Sequence, residues 1–179
     1  MLEFFSKVGK LKELPRTGWV EAGIGELESV ADHCFRTSVI AMVLSDLQGH
    51  DTAKAVRMAL LHDLAETETG DLTPGQKKER GPSLMTEEEG AVARLLSGLP
   101  GDLAERYMEL WEELREGASP EAEVVANADK LEMVLQALEY EEDGNCPSSL
   151  ERFWSVDVVD GLPSDLLGEM RKRRGGKVD

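Results

Sequence analysis

A histidine and an aspartate stand side by side inside an apolar run, Arg57-Met-Ala-Leu-Leu-His-Asp-Leu-Ala-Glu66, and no other feature constrains the fold of this chain so strongly. A charged pair taken out of water is costly unless it is paired, hydrogen-bonded or bound to a metal. The fold must therefore bring further groups to His62 and Asp63. Neighbours in a straight helix point about 100° apart, so the two can share one ion only if it sits off a helix end or between helices. Two residues elsewhere in the chain suit the same ion, His33 and Asp129. Two imidazoles and two carboxylates that converge in this way form a metal centre of the kind used in hydrolysis.

Each of these residues falls in a segment that reads as helix. Asp51 caps a helix carrying Ala55, Met58, Ala59 and His62 along one side before Gly70. Ser29 caps another, from Val30 to about Leu47, with Val30, Cys34, Thr37, Ala41 and Leu44 at helical spacing and His33 in its first turn. Asp129 lies inside a third, over 120–140, opened by Ser119 and Pro120. Further helices are expected over 2–14, 84–97, 102–116, 148–155 and 163–173. The Leu-Pro-Arg-Thr-Gly-Trp-Val stretch, with Arg16 and Trp19, reads as an ordered loop, and 71–82 as a solvated loop able to move as a lid. No strand and no repeat stands out. The expectation is an all-α helical bundle, one domain over 1–179 with a short flexible tail at about 174–179.

Composition narrows the partners. Acidic residues outnumber basic ones 36 to 20, a formal charge of −16, which argues against nucleic-acid polymers and anionic membranes. A small anionic substrate stays admissible, because a bound cation and a few Arg or Lys residues reverse the potential inside one cleft. Cys34 and Cys146 have no metal-type spacing and make no disulfide framework, which fits a reducing cytoplasm. Neither a signal peptide nor a run of ~18 apolar residues is recognisable, so a cytoplasmic protein without a membrane partner is expected.

A site of two imidazoles and two carboxylates suits a borderline to hard divalent ion such as manganese, cobalt, iron or magnesium, with open positions for water and substrate. Glu66, one turn beyond His62 and Asp63, is placed to orient or protonate. The competing reading makes His62 and Asp63 a buried hydrogen-bonded pair, His33 a helix-start residue and Asp129 a surface acid. Convergence of five such residues from three helical segments favours the site. His50 reads as a loop histidine, Trp111 and Trp154 as packing residues and Cys34 as a small core residue.

The segments Glu28-Ser-Val-Ala-Asp-His33, His62-Asp-Leu-Ala-Glu66 with Gly70-Asp71, and Asp129-Lys-Leu-Glu132 resemble the HD-domain metal-dependent phosphohydrolases in order and spacing. The leading Leu-Pro-Arg-Thr-Gly-Trp-Val segment resembles their 5'-deoxynucleotidase branch, which includes the HD domain-containing protein 2 family. The resemblance implies a helical fold with one divalent ion held by His33, His62, Asp63 and Asp129, cobalt or manganese first, with magnesium, iron, copper and zinc in range. It implies hydrolysis of deoxyribonucleoside 5'-monophosphates to deoxynucleoside and phosphate. Glu66 would act on the attacking water or the leaving group, Asp71 at the sugar side of catalysis and substrate binding, and Arg16 with Trp19 on the nucleotide. A homodimer is implied as well. The rivals are a phosphohydrolase of the same superfamily acting on a triphosphate, an alarmone or a cyclic nucleotide, and a non-catalytic helical module stabilised by its metal.

Overall fold

The computed structural model describes residues 1–176. Three long helices form its centre: α3 (Val30–Gln48), α4 (Thr52–Leu61) and α9 (Pro120–Glu142). They approach closely because alanines occupy their facing positions. Ala41, Ala55, Ala59 and Ala128 are fully buried, with Leu44, Met58, Leu131 and Leu138 filling the space between them. Among the described residues no strand forms, and the lone strand-type contact is a bridge between Pro15 and Ser29.

The remaining helices wrap this centre in chain order. They are α1 (Leu2–Val8), α2 (Thr17–Ala22), α5 (Glu66–Thr69), α6 (Pro74–Arg80), α7 (Pro82–Leu96), α8 (Gly101–Glu116), α10 (Pro147–Leu150) and α11 (Leu162–Gly175). The caps at Ser29, Asp51 and Ser119 form as expected, each side chain accepting a backbone N–H three residues on.

Four local expectations need correction. The helix over 2–14 divides at Gly9, where the chain tightens into a 3-10 turn over Gly9–Lys12 that buries Leu11. The stretch around Arg16 and Trp19 is helix α2, because the carboxylate of Asp71, 54 residues away, accepts from the Thr17 N–H at its start (2.5 Å). The 71–82 segment contains α6, held by a capping box between Thr73 and Gln76 with Pro74 at its first position. The chain end is docked as far as it is described. Arg174, in the last turn of α11, bonds Glu141 (2.9 Å) and Glu151 (2.7 Å) and stacks over Trp154. Residues 177–179 of the expected tail lie outside the described residues.

Candidate metal centre

The α4 helix stops at Leu61, and this break makes the site. From Leu61 to Thr67 the backbone bonds shorten to i→i+3, with Leu64 N–H on Leu61 O and Glu66 N–H on Asp63 O. The tightened turn brings His62 Nε2 and Asp63 Oδ2 to 3.1 Å, which a continued helix would not allow. His33, on the first turn of α3, points its Nε2 at the same place, 3.3 Å from His62 Nε2 and 3.7 Å from Asp63 Oδ2. Asp129 closes the group from α9, its Oδ1 3.1 Å from His33 Nε2.

These separations fit a common cation. Ligand atoms about 2.0–2.2 Å from one divalent ion stand roughly 3 to 3.6 Å from each other. Asp63 Oδ2 and Glu66 Oε2 are buried without a hydrogen-bond partner, two acceptors that a cation and its water would satisfy. The charge balance points the same way. Burial would suppress a proton on His33, yet its hydrogen bonds to Asp129 and Glu132 raise it to about 9. Burial opposes the charge on His62 too, and the Asp63 carboxylate outweighs it and raises His62 well above the usual imidazole range. Asp63 would itself be pushed up by burial, but His62, Arg16 and His33 hold it well below the carboxylate range. The set collects positive charge.

Both imidazoles are aimed from behind. His62 Nδ1 donates to the Ala59 carbonyl (2.6 Å), leaving Nε2 as the ligand atom. His33 Nδ1 meets Glu132 Oε2 at 2.5 Å, both side chains having no exposure at all. The other Glu132 oxygen accepts from Arg36 Nε at 2.9 Å, and Arg36 continues to Gln136 and Glu139. An isolated buried carboxylate would be costly; held by an arginine and an imidazole it fixes the tautomer and direction of His33. The sequence reading gave Glu132 and Arg36 no role. The signal was present, since Glu132 lies three residues after Asp129 and Arg36 three after His33, each on its partner's helix face.

The other expected residues line a cleft of about 750 Å³ that opens over Asp63 and Asp129. Asp71 is swung back by Gly70, whose φ of 75° suits glycine, and it accepts from Arg16 (3.1 Å) as well as from Thr17. Arg16 reaches Asp63 as well, at 3.6 Å. Its charge is reinforced by Asp63 and Asp71 against burial. Lys77, Lys130 and Arg152 join Arg16 on the walls beside the acids Glu21, Asp71 and Glu79, and Arg152 donates to Glu21 (2.9 Å).

Glu66 faces a smaller cavity of about 230 Å³ shared with His62, Asp63 and Asp129. Burial, with the charges of Asp63 and Asp71, pushes its carboxyl up to about 9. Trp19 lies beneath the cleft at 2% exposure, its indole N–H on Glu28 (2.7 Å) and its ring against Tyr140 and Phe153, a packing position. Trp111 and Trp154 are buried as expected, and Cys34 is buried beside His62.

A model of the HD domain family matches residues 8–161. The bovine protein 5'-deoxynucleotidase HDDC2 is 42% identical over 183 residues, covering 99% of this chain and 87% of the relative. The fission yeast 5'-deoxynucleotidase hdd1 is 33% identical, covering 94% of this chain and 89% of its own length. The crystal structure of a Pyrococcus horikoshii protein superposes with a TM-score of 0.79 at 33% identity, covering 98% of this chain and 99% of that one.

Proposed function

The chain belongs to the HD domain family, and on that premise we propose that it is a metal-dependent 5'-deoxynucleotidase, hydrolysing deoxyribonucleoside 5'-monophosphates to deoxynucleoside and phosphate. The observation that carries the reading is the convergence of His33, His62, Asp63 and Asp129 at ligand spacing, with Asp63 and Asp129 opening on a cleft that Arg16 also lines. These four residues would hold one divalent ion, and their two nitrogens and two carboxylates suit cobalt or manganese, with magnesium, iron, copper and zinc as further candidates. Such an ion polarises a phosphoryl oxygen and brings the pKa of bound water from ~15.7 towards neutrality.

The protein's own groups do the rest. Arg16, pinned by Asp71, offers charge-assisted hydrogen bonds to the phosphate. Asp71 orients Arg16 and the start of α2 on the sugar side of the cleft. Glu66, whose carboxyl is pushed up by burial and the charges of Asp63 and Asp71, would act either on the attacking water or on the leaving 5'-oxygen. Trp19 supports the cleft floor from below.

The homodimer is supported by α3, whose outer face exposes Phe35, Val39, Met42, Val43 and Leu47 as one apolar stripe. A cytoplasmic setting is supported by two free thiols, Cys34 and Cys146. No helix of the described residues is long and apolar enough to cross a membrane.

The test is phosphate release by metal-stripped protein resupplied with cobalt, manganese, magnesium or zinc, on matched deoxy- and ribonucleoside 5'-monophosphates and one triphosphate. Release confined to deoxy monophosphates is expected. Release from the triphosphate alone would move the reading to another nucleotide phosphohydrolase. In Glu66→Gln the ion should stay bound while turnover is lost; undiminished turnover would remove Glu66 from the mechanism.

A further inference from the structure

One soft donor stands at the edge of this hard and borderline ligand set. Cys34 follows His33 on α3 and so points about 100° round the helix from it, towards the break after α4. Its Sγ, a His62 nitrogen and an Asp63 oxygen all lie within 4.8 Å of one another. The same limit holds for His33, His62 and Asp129, so His62 belongs to both groups. Asp63 Oδ2 is buried with no hydrogen bond of its own. The thiol is otherwise enclosed by Val30, Leu61, Leu64 and Leu95, which leaves the metal centre as the polar side of its environment.

We propose that Cys34, His62 and Asp63 form a second, sulfur-containing position for a thiophilic divalent ion, displaced from the His33 and Asp129 side of the centre. The inference rests on the ion-binding reading of the same cleft. Imidazole and carboxylate accept manganese or cobalt, whereas thiolate selects cadmium or zinc over them. On binding, the Sγ–H bond breaks, its proton leaves to solvent, and the sulfur lone pair forms the bond to the ion. The two positions share His62 and compete for Asp63, so they cannot both be filled. A thiophilic ion held by sulfur therefore takes two ligands away from the position facing the cleft, and acts as an inhibitor there. The residue that fills a gap in the core also decides which ions the centre tolerates.

Cadmium alone, titrated into metal-stripped full-length protein, is the probe, read by the thiolate-to-cadmium charge-transfer band in the ultraviolet difference spectrum. Cys146 is exposed and also free, so Cys146→Ser is the background in which the band is assigned. One equivalent of cadmium should produce the band in wild type and in Cys146→Ser, and none in Cys34→Ser. Cadmium affinity should fall at least about tenfold in Cys34→Ser, the scale on which changes around a metal ligand act, while manganese affinity stays within about threefold. Should Cys34→Ser fail to fold, Cys34→Ala carries the same comparison with an apolar side chain. Stoichiometric cadmium binding without a band in wild type, or a band that survives in Cys34→Ser on the Cys146→Ser background, overturns the proposal. Manganese-supported phosphate release by wild type, measured on the same preparation, keeps the two readings apart. Release without a band defeats the sulfur position alone, and a band without release defeats the phosphatase reading alone.

Discussion

The floor and the rim of the cleft are held by different means. On the floor, each imidazole is aimed from Nδ1 by Glu132 or the Ala59 carbonyl, with a carboxylate oxygen 3.1 Å from its Nε2. These contacts sit among three long helices whose alanines and leucines are packed without exposure. On the rim, α2 has six residues and α6 seven, and each begins on a borrowed or local cap, Asp71 for one and Thr73 for the other. Helices that short have little stability of their own. The difference separates two tasks: the floor must present its donors in one geometry, and the rim must admit and release a substrate.

Changes on the floor should be the severe ones. Asp63→Ala removes a candidate ligand and leaves the His33 and His62 imidazoles facing each other. A metal ion supplies several kcal/mol of transition-state stabilisation, so phosphate release should fall by about a thousandfold or more, with bound metal and melting temperature falling together. Unchanged metal content and melting temperature would return His62 and Asp63 to an ordinary buried pair. Glu132→Ala removes neither a candidate ligand nor a cleft-lining group, yet by releasing His33 Nδ1 it should weaken ion affinity by roughly 10- to 100-fold. It also strips Arg36 of its buried partner, at a cost of about 3 kcal/mol in stability. Glu132→Gln, which keeps the shape, should recover part of both. Equal ion affinity in all three proteins would show that the carboxylate serves packing alone.

Between floor and rim, Glu28 gives a pH signature. Burial and the neighbouring charge of Glu132 raise its carboxyl from 4.5 to about 7, against the opposing Trp19 hydrogen bond. The folded state therefore binds this proton more tightly than the unfolded chain. Its stabilising effect is complete below about 4.5 and is lost as pH rises through about 7. Denaturant unfolding across that window should show wild type losing stability relative to Glu28→Gln. Parallel curves would place the Glu28 carboxyl in its ordinary range. The smallest effect belongs to the rim. Thr73→Ala removes one cap from α6, worth about 1 kcal/mol locally, and should leave global stability within about 0.5 kcal/mol. Trypsin should then cut faster at Lys77, Lys78 or Arg80, with a raised KM and unaltered ion affinity. A drop in global melting temperature would mean that the rim is structurally continuous with the floor.

The same division governs what the sequence disclosed. His33, His62, Asp63, Asp129 and Glu66 were visible because polar groups interrupted apolar helical patterns, and a local pattern suffices to place each on its helix. Arg16 and Asp71 were recognisable as candidates, but the contact between them was not, since nothing near Thr17 announces a cap from 54 residues away. Without that cap the Pro and Gly around α2 read as loop. In α6 the Thr73-Pro74-x-Gln76 start was readable and was outweighed by the glycines on either side. Glu132 and Arg36 were hidden for another reason. An acid and an arginine on helix faces look like solvated charges until α3 packs on α9 and sets them against each other.

Asp129 differs from the other donors in one respect: 44% of its side chain stays open to the cleft, while His33 has no exposure. His33, enclosed on every side, offers solvent no such approach. Of the four candidate donors Asp129 is thus the one that water reaches directly, and a change there should alter how readily the centre exchanges an ion before it alters the fold.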